Sequence, residues 1–495
     1  MTTSEIAANS PSAFLRRHFL IVLLISVLLI APCLWHRHIE AGDLPSHVYN
    51  AWLAQLITRG QAPGLYLVHR YDNVLFDLAL FHAGNLFGFT AAEKIVVGIC
   101  VLIFTWGVFS FVAAAARRPP WFLLPAIAML AYGYPFHMGF FNYYLSIGLA
   151  CFALALTWRP GAGNWLLALL IAPFVLLAHP IGFLWLLGTF AYHRLGERLP
   201  GWFKLTLPPA AFGAFFALHW YFAQRATFPV DWQPRPPYLL LGADQLTLFG
   251  DRYETLSWIA IAFGAICVAA EIVAHAKDKS HWRQFLPLLE LYAIAFFGTA
   301  LLPENLRPSL TAGWIGLLVS RLTIVNAIFG LCVLGLLRPR KWHLAGFAAL
   351  ASVFFTFLYQ DTAWLNRLES AVESAVSTLP SGTRIIPAID APKDWRITFI
   401  GHMADRACIG HCFTYSNYEA PSQQFRVRVR PGGSPLVTSS EDDAEDMEAG
   451  EYEVQGTDPP LTLLYQCSPP GTRFCLRPLQ PGEVTGSAPQ PQAPH

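Results

Sequence analysis

Between residues 18 and 359 long apolar runs alternate with short breaks rich in Gly, Pro and charge. A helix needs about 20 apolar residues to cross a bilayer core, so this pattern predicts about eleven spans. They lie near 18–35, 94–116, 121–136, 140–158, 164–179, 180–194, 204–223, 254–275, 285–302, 313–337 and 342–359. The first follows Arg16-Arg17 and reads "HFLIVLLISVLLIAPCLW". This core is at the long end for a signal peptide, and cleavage near "IEAGD" would remove an anchor, so an uncleaved span is expected. Residues 36–93 form a long first loop. In it, "DLPSHVYNAWLAQLI" has Val48, Ala51, Trp52, Gln55 and Leu56 at helical spacing, which predicts a helix lying along the membrane interface.

Beyond 359 the pattern changes. "WLNRLESAVESAVSTL" is an amphipathic helix ending at Pro380-Ser381-Gly382, and "GTRIIPAI" reads as a buried strand. "QFRVRV", "EYEV" and "LTLLY" are short strand-like runs between Gly/Pro turns. "SSEDDAEDMEAGE" is expected to be a solvated loop, and "GSAPQPQAPH" a disordered end. The expected fold is a polytopic α-helical membrane protein of about eleven transmembrane helices. Interfacial helices sit in its first outer loop, and a small α+β C-terminal domain lies outside. The organisation is a cytoplasmic N-terminus (1–17), a membrane domain (18–359), a soluble extracytoplasmic domain (360–480) and a disordered tail (481–495).

Composition agrees. The chain of 495 residues is 54% hydrophobic and only 13% charged, against about a quarter charged in soluble domains. Its net charge of +1 gives no reason to expect a nucleic-acid partner. Charge is informative through its distribution. Arg16/Arg17, Arg117/Arg118, Arg159, Arg194/Arg198/Lys204, Lys277/Lys279/Arg283 and Arg338/Arg340/Lys341 fall in every second connection. By the positive-inside rule the N-terminus is cytoplasmic and the tail extracytoplasmic, as in a plasma (inner) membrane protein. Of nine cysteines, Cys408, Cys412, Cys467 and Cys475 lie in that tail. An oxidising compartment permits Cys408–Cys412 and Cys467–Cys475 disulfides. Zinc held with His402 and His411 is the rival reading.

Topology puts Asp43 and His47 outside, just after the first span. Four residues apart on a helix, they share a face and could converge on a divalent metal ion or an acceptor proton. Asp43 is also a good helix cap, with Pro45 in the first turn. His137, Asn142, Tyr143 and Tyr144 in "YPFHMGFFNYY", and His179 in "LLAHPIGF", lie at the same level. Each has a plain reading as belt or cap residue. Arg321 in "GLLVSRLTIV" and Arg307 in "LPENLRPSL" could meet a lipid phosphate, for which a guanidinium is a fork-shaped match. Glu271 and Glu290 are the acids nearest mid-membrane, both toward inner span ends. That scarcity argues against an ion-coupled carrier. There is no nucleotide-binding glycine loop or HEXXH motif.

A long first outer loop, an acid soon after the first span in "GDLPSH", and a soluble outer C-terminal domain together resemble the GT-C class of membrane glycosyltransferases. The resemblance covers the first loop and the overall layout. It implies a polyprenyl-phosphate sugar donor, with Asp43 as base or metal ligand and His47 as its partner. His137, Asn142 and His179 would line the acceptor side, and Arg321 or Arg307 would hold the lipid phosphate. The acceptor is a glycan, lipid or protein. Where that class often has paired acids, Asp43 stands between Gly42 and Leu44. The competing readings are a catalytically inactive GT-C-like scaffold or glycan-assembly partner, and a transporter of lipid-linked glycans.

Overall fold

The computed structural model describes residues 11–158, 162–200, 204–308, 315–389, 395–467 and 472–486, with side chains from residue 18 onward. Residues 1–10, Arg159 and the expected disordered end from 487 lie outside them. Among the described residues five helices are long and apolar enough to cross a membrane: Phe89–Ala116, Asp251–His275, His281–Leu301, Leu318–Gly335 and Lys341–Val376. His18–Leu34, Phe141–Thr157 and Asn164–Ala178 are shorter apolar helices, as is Leu75–Phe87 in the first loop. The expected span at 121–136 is broken into a 3-10 turn (Trp121–Leu123) and the helices Leu124–Ala131 and Tyr134–His137. Gly133 separates the last two, and Pro135 opens the second of them.

The centre of the bundle is helix Phe89–Ala116 against helix Phe141–Thr157. They meet backbone to backbone. A Cβ on Gly107 would stand 2.2 Å from the Gly148 carbonyl oxygen, so only glycine permits this approach. Phe104 stacks on Tyr144 at 4.4 Å beside the contact. The outer helices keep apolar side chains exposed, among them Leu20, Leu24, Leu169, Ile266 and Val273, and helix Leu207–Gln224 buries none of its residues. A helix apolar all round belongs in lipid.

The tail carries a four-stranded sheet in the order Phe413–Thr414, Arg384–Ala388, Leu461–Gln466, Phe474–Pro478. The first two pairings are parallel and the last antiparallel. The expected strand in "GTRIIPAI" is Arg384–Ala388, with Ile385 and Ile386 buried. Both expected disulfides are formed, so their thiols hold no zinc. The acidic run is not a loop. It forms helix Glu441–Ala449, because Ser440 caps it by accepting from the Asp443 amide at 3.2 Å, and three acids occupy its positive first turn.

Tail and body are continuous. The expected span 342–359 and the amphipathic helix of the tail form a single helix of 36 residues, Lys341–Val376, without Gly or Pro to break it at 360. Strand Leu65–Leu67 of the first loop pairs antiparallel with Val427–Val429 of the tail. Between them lies helix Leu44–Thr58, with 11 of its 15 residues buried. The tail covers much of it. The Tyr49 hydroxyl accepts from the Thr414 amide at 3.0 Å, Trp52 stacks on Phe413, and Asn50 pairs with Asn417.

A buried ionic knot joins these parts. Arg406 of the tail meets Glu93 at 2.7 Å and Glu369 at 3.0 Å, and donates to the Ile39 carbonyl at 3.1 Å. Asn366 donates to Glu40 at 2.6 Å. Burial and the neighbouring Glu369 raise Glu40 well above the usual carboxylate range. Removing one partner of a buried pair strands the others, at about 3–5 kcal/mol. Arg406→Met is therefore expected to lower the thermal unfolding midpoint of the detergent-solubilised protein sharply. Glu373→Gln, on the half-exposed rim of the knot, is expected to have little effect.

Candidate functional site

Asp43 and His47 begin helix Leu44–Thr58, where the first loop enters the body. Their position is set by backbone. Gly42 and Asp43 amides donate to the carbonyls of His137 and Met138 at 2.7 and 3.0 Å. Gly139 makes this approach feasible. Its φ is +84°, and a Cβ there would stand 2.5 Å from the Asp43 nitrogen. The Asp43 carboxylate makes no capping hydrogen bond and remains partly exposed. Its charge acts on His47, His402, Arg321 and the Tyr418 hydroxyl, which together surround it.

His47 is already engaged. Its Nδ1 lies 2.7 Å from Asp77 Oδ1. Asn142 donates to Asp77 Oδ2 at 2.8 Å and accepts from the Phe76 amide at 2.8 Å. Burial pulls the imidazole down, but Asp77 outweighs it with help from Glu419 and Asp43, and His47 is pushed up to about 9. At neutral pH it is a cation, so it cannot take a proton as a base. His47 was expected as a catalytic partner of Asp43, and its ring is engaged with Asp77. Among the described residues neither joins a cluster of three metal-type ligands.

The tail adds the rest. His402 pairs with Asp405 at 3.0 Å and, despite burial, is also pushed up to about 9. Glu419 accepts from Ser46 Oγ at 2.9 Å. Burial lifts it most, His47 and His402 restrain it, and it comes to about 7. It is a carboxyl poised to exchange a proton near neutrality. On the bilayer side, the Arg321 guanidinium lies 4.2 Å over the Phe140 ring with its Nε buried and unbonded. The Tyr143 hydroxyl donates to the Arg321 carbonyl at 2.8 Å, and its ring meets His179 edge-on at 5.3 Å. His179 caps its own helix by accepting from the Ile181 amide at 3.1 Å.

Asp43, His47, Asn142, His179 and Arg321 are thus gathered. Two expected residues are not. His137 turns away, because the short helix between Gly133 and Gly139 directs its Nδ1 to the Glu40 carbonyl at 2.9 Å and its ring onto Phe399. Arg307 is exposed beyond strand Asn305–Leu306, its amide bonded to the Pro229 carbonyl and its charge acting on Glu441. Asp77, His402, Tyr418 and Glu419 were not expected. Asp77 had a signal, a lone acid in the apolar run "NVLFDLALF". The tail residues had none, since sequence does not say which part of the tail returns to residue 43. A cavity of about 390 Å³ lies elsewhere, lined by Leu241, Tyr292, Ala327, Gly330 and Phe347. Helical spacing puts Ala327 and Gly330 round the helix from Arg321.

No family model, curated protein or solved structure matches this chain.

A histidine raised above its unfolded value of about 6.5 contributes stability below that pH and loses it as pH rises through its folded value. The His47–Asp77 contribution is therefore expected to be complete below 6.5 and to fade through about 9. In Asp77→Asn burial acts without its main opponent. The His47 ring is then expected to titrate well below its wild-type value, read from its side-chain NMR shifts. An unchanged titration would contradict this pairing.

Proposed function

We propose that this chain is a membrane glycosyltransferase of GT-C type, moving a sugar from a polyprenyl-phosphate donor to a glycan, lipid or protein acceptor. The observation that carries the reading is the meeting of Asp43 with Arg321. A carboxylate free of capping duty lies within electrostatic reach of a guanidinium that, among the described residues, forms no ion pair, at the join between apolar helices and polar tail. Transfer to a hydroxyl needs both. The acceptor oxygen attacks the anomeric carbon as its proton passes to Asp43. The bond from that carbon to the phosphate oxygen breaks, and its electron pair leaves with the lipid phosphate. Arg321 faces the charge that develops there. His47 and His402, pushed up by Asp77 and Asp405, place positive charge beside Asp43. Glu419 supplies a second titrating carboxyl in the same cluster.

The topology we infer has about eleven spans, a cytoplasmic N-terminus and an extracytoplasmic tail in the plasma (inner) membrane. Two disulfides in the tail fit an oxidising compartment. Basic connections also meet at one end of the bundle. Arg118 donates to the carbonyls of Gly335 and Leu337, and Arg194 to that of Thr157.

The test uses the purified chain in liposomes with a panel of polyprenyl-phosphate monosaccharides, following consumption of the donor. Asp43→Asn is expected to slow turnover by about 10²–10⁴, the usual worth of a positioned base, with folding intact. Arg321→Ala is expected to weaken donor binding. Full turnover in Asp43→Asn would overturn the reading. Wild-type protein that binds no donor would favour the inactive scaffold, which the commitment of His47 to internal packing already suits.

A further inference from the structure

Helix Asp251–His275 begins beside the tail, where the Tyr253 hydroxyl donates to Asp361 at 2.6 Å. Its last turn lies about 36 Å further along at 1.5 Å per residue, far from Asp43. There Glu271 and His275, four apart, share one face. The chain turns at 276–278, and the short helix Lys279–Arg283 brings His281 back onto them. The turn is fixed locally. The His281 amide donates to Asp278 at 3.1 Å, and Trp282 Nε1 donates to the His275 carbonyl at 2.9 Å.

Three donor atoms converge. Glu271 Oε1 is 2.9 Å from His281 Nε2 and 3.3 Å from His275 Nδ1, and all three lie within 4.8 Å of one another. Ligands of a tetrahedral ion with bonds near 2.0–2.1 Å stand about 3.3 Å apart, so small movements would close this set around one ion. Glu271 is 1% exposed and His281 8%. A carboxylate this buried needs positive charge. Arg118 is the neighbouring arginine, but its Nη2 is spent on the carbonyls of Gly335 and Leu337. The Arg338 backbone amide reaches Glu271 Oε1 at 3.3 Å. His281 Nε2 is buried and makes no hydrogen bond despite its proximity to Glu271. On the far side of the ring, the Gln284 side-chain amide lies 3.0 Å from Nδ1. With its carbonyl turned inward, that amide would accept from Nδ1–H and leave Nε2 free as a ligand. Metal-binding histidines are commonly held by such a partner.

We propose that Glu271, His275 and His281 bind a divalent transition-metal ion of zinc's chemistry. Two imidazoles and one carboxylate are nitrogen and oxygen donors of the kind zinc takes, and three protein ligands leave a fourth position for water. Held there, the ion would pin helix Asp251–His275 to the start of the next membrane helix. The site is separate from the transferase reading and does not depend on it.

The probe is the metal itself. Full-length protein without a polyhistidine tag is stripped with chelator, reloaded with Zn²⁺ and desalted, and its bound metal is counted. Wild type is expected to retain one more equivalent per chain than Glu271→Gln or His281→Asn. Gln284→Ala is expected to bind about 10–100-fold more weakly. Co²⁺ loading of wild type, which needs no variant to fold, is expected to give the visible d–d absorption of a four-coordinate site. A wild type that retains no metal, or variants that retain as much as wild type, would overturn the proposal. So would Co²⁺ spectra matching the ion in buffer.

Discussion

The Arg406 guanidinium, removed from water, is the interaction on which the rest of the arrangement depends. It belongs to the tail, yet its partners come from the first loop, from the first long apolar helix and from the helix that leads into the tail. A charge with so little hydration has to be met on several sides, and each side here is a different segment. Glu40 adds another acid to the knot, raised well above the usual carboxylate range by burial and by Glu369. The knot therefore fixes how the tail is seated on the helices. It fixes with it the lid over helix Leu44–Thr58.

That lid gives Asp43 its surroundings. Without the tail, Asp43 and His47 would be an acid and an imidazole on a wet helix. With it, Glu419 and His402 close in from above, while Asp77, Asn142 and Arg321 stand on the side of the apolar helices. Burial alone would empty such a pocket of charge. Ordered pairing prevents this, since each histidine is matched to its own aspartate. Among the described residues the Asp43 carboxylate and the Arg321 guanidinium form no ion pair, and they are the groups the proposed transfer would use.

The two ends of the bundle differ in kind. At the tail end, charge is plentiful and arranged in pairs. At the other end, Glu271 and two histidines form a cluster of three metal-type ligands among the described residues. Helix Lys341–Val376 runs from His343, near Glu271, to Glu369 in the knot, and is continuous across the boundary expected at 359/360.

By itself the sequence determined the helical, membrane-adapted character of the chain, the breaks at residues such as His179-Pro180, the strand in "GTRIIPAI", and the placing of Asp43 and His47 on one helical face. These are local properties, written in periods of 2 and 3.6 and in turn chemistry. Only the tertiary structure decided which groups pair. Asp77 reaches His47 across 30 residues, and Glu419 reaches Ser46 across 373. It also took His137 and Arg307 away from Asp43, and made one helix of two expected segments. Pairing depends on distance through space and on the desolvation of both partners, and neither follows from separation along the chain.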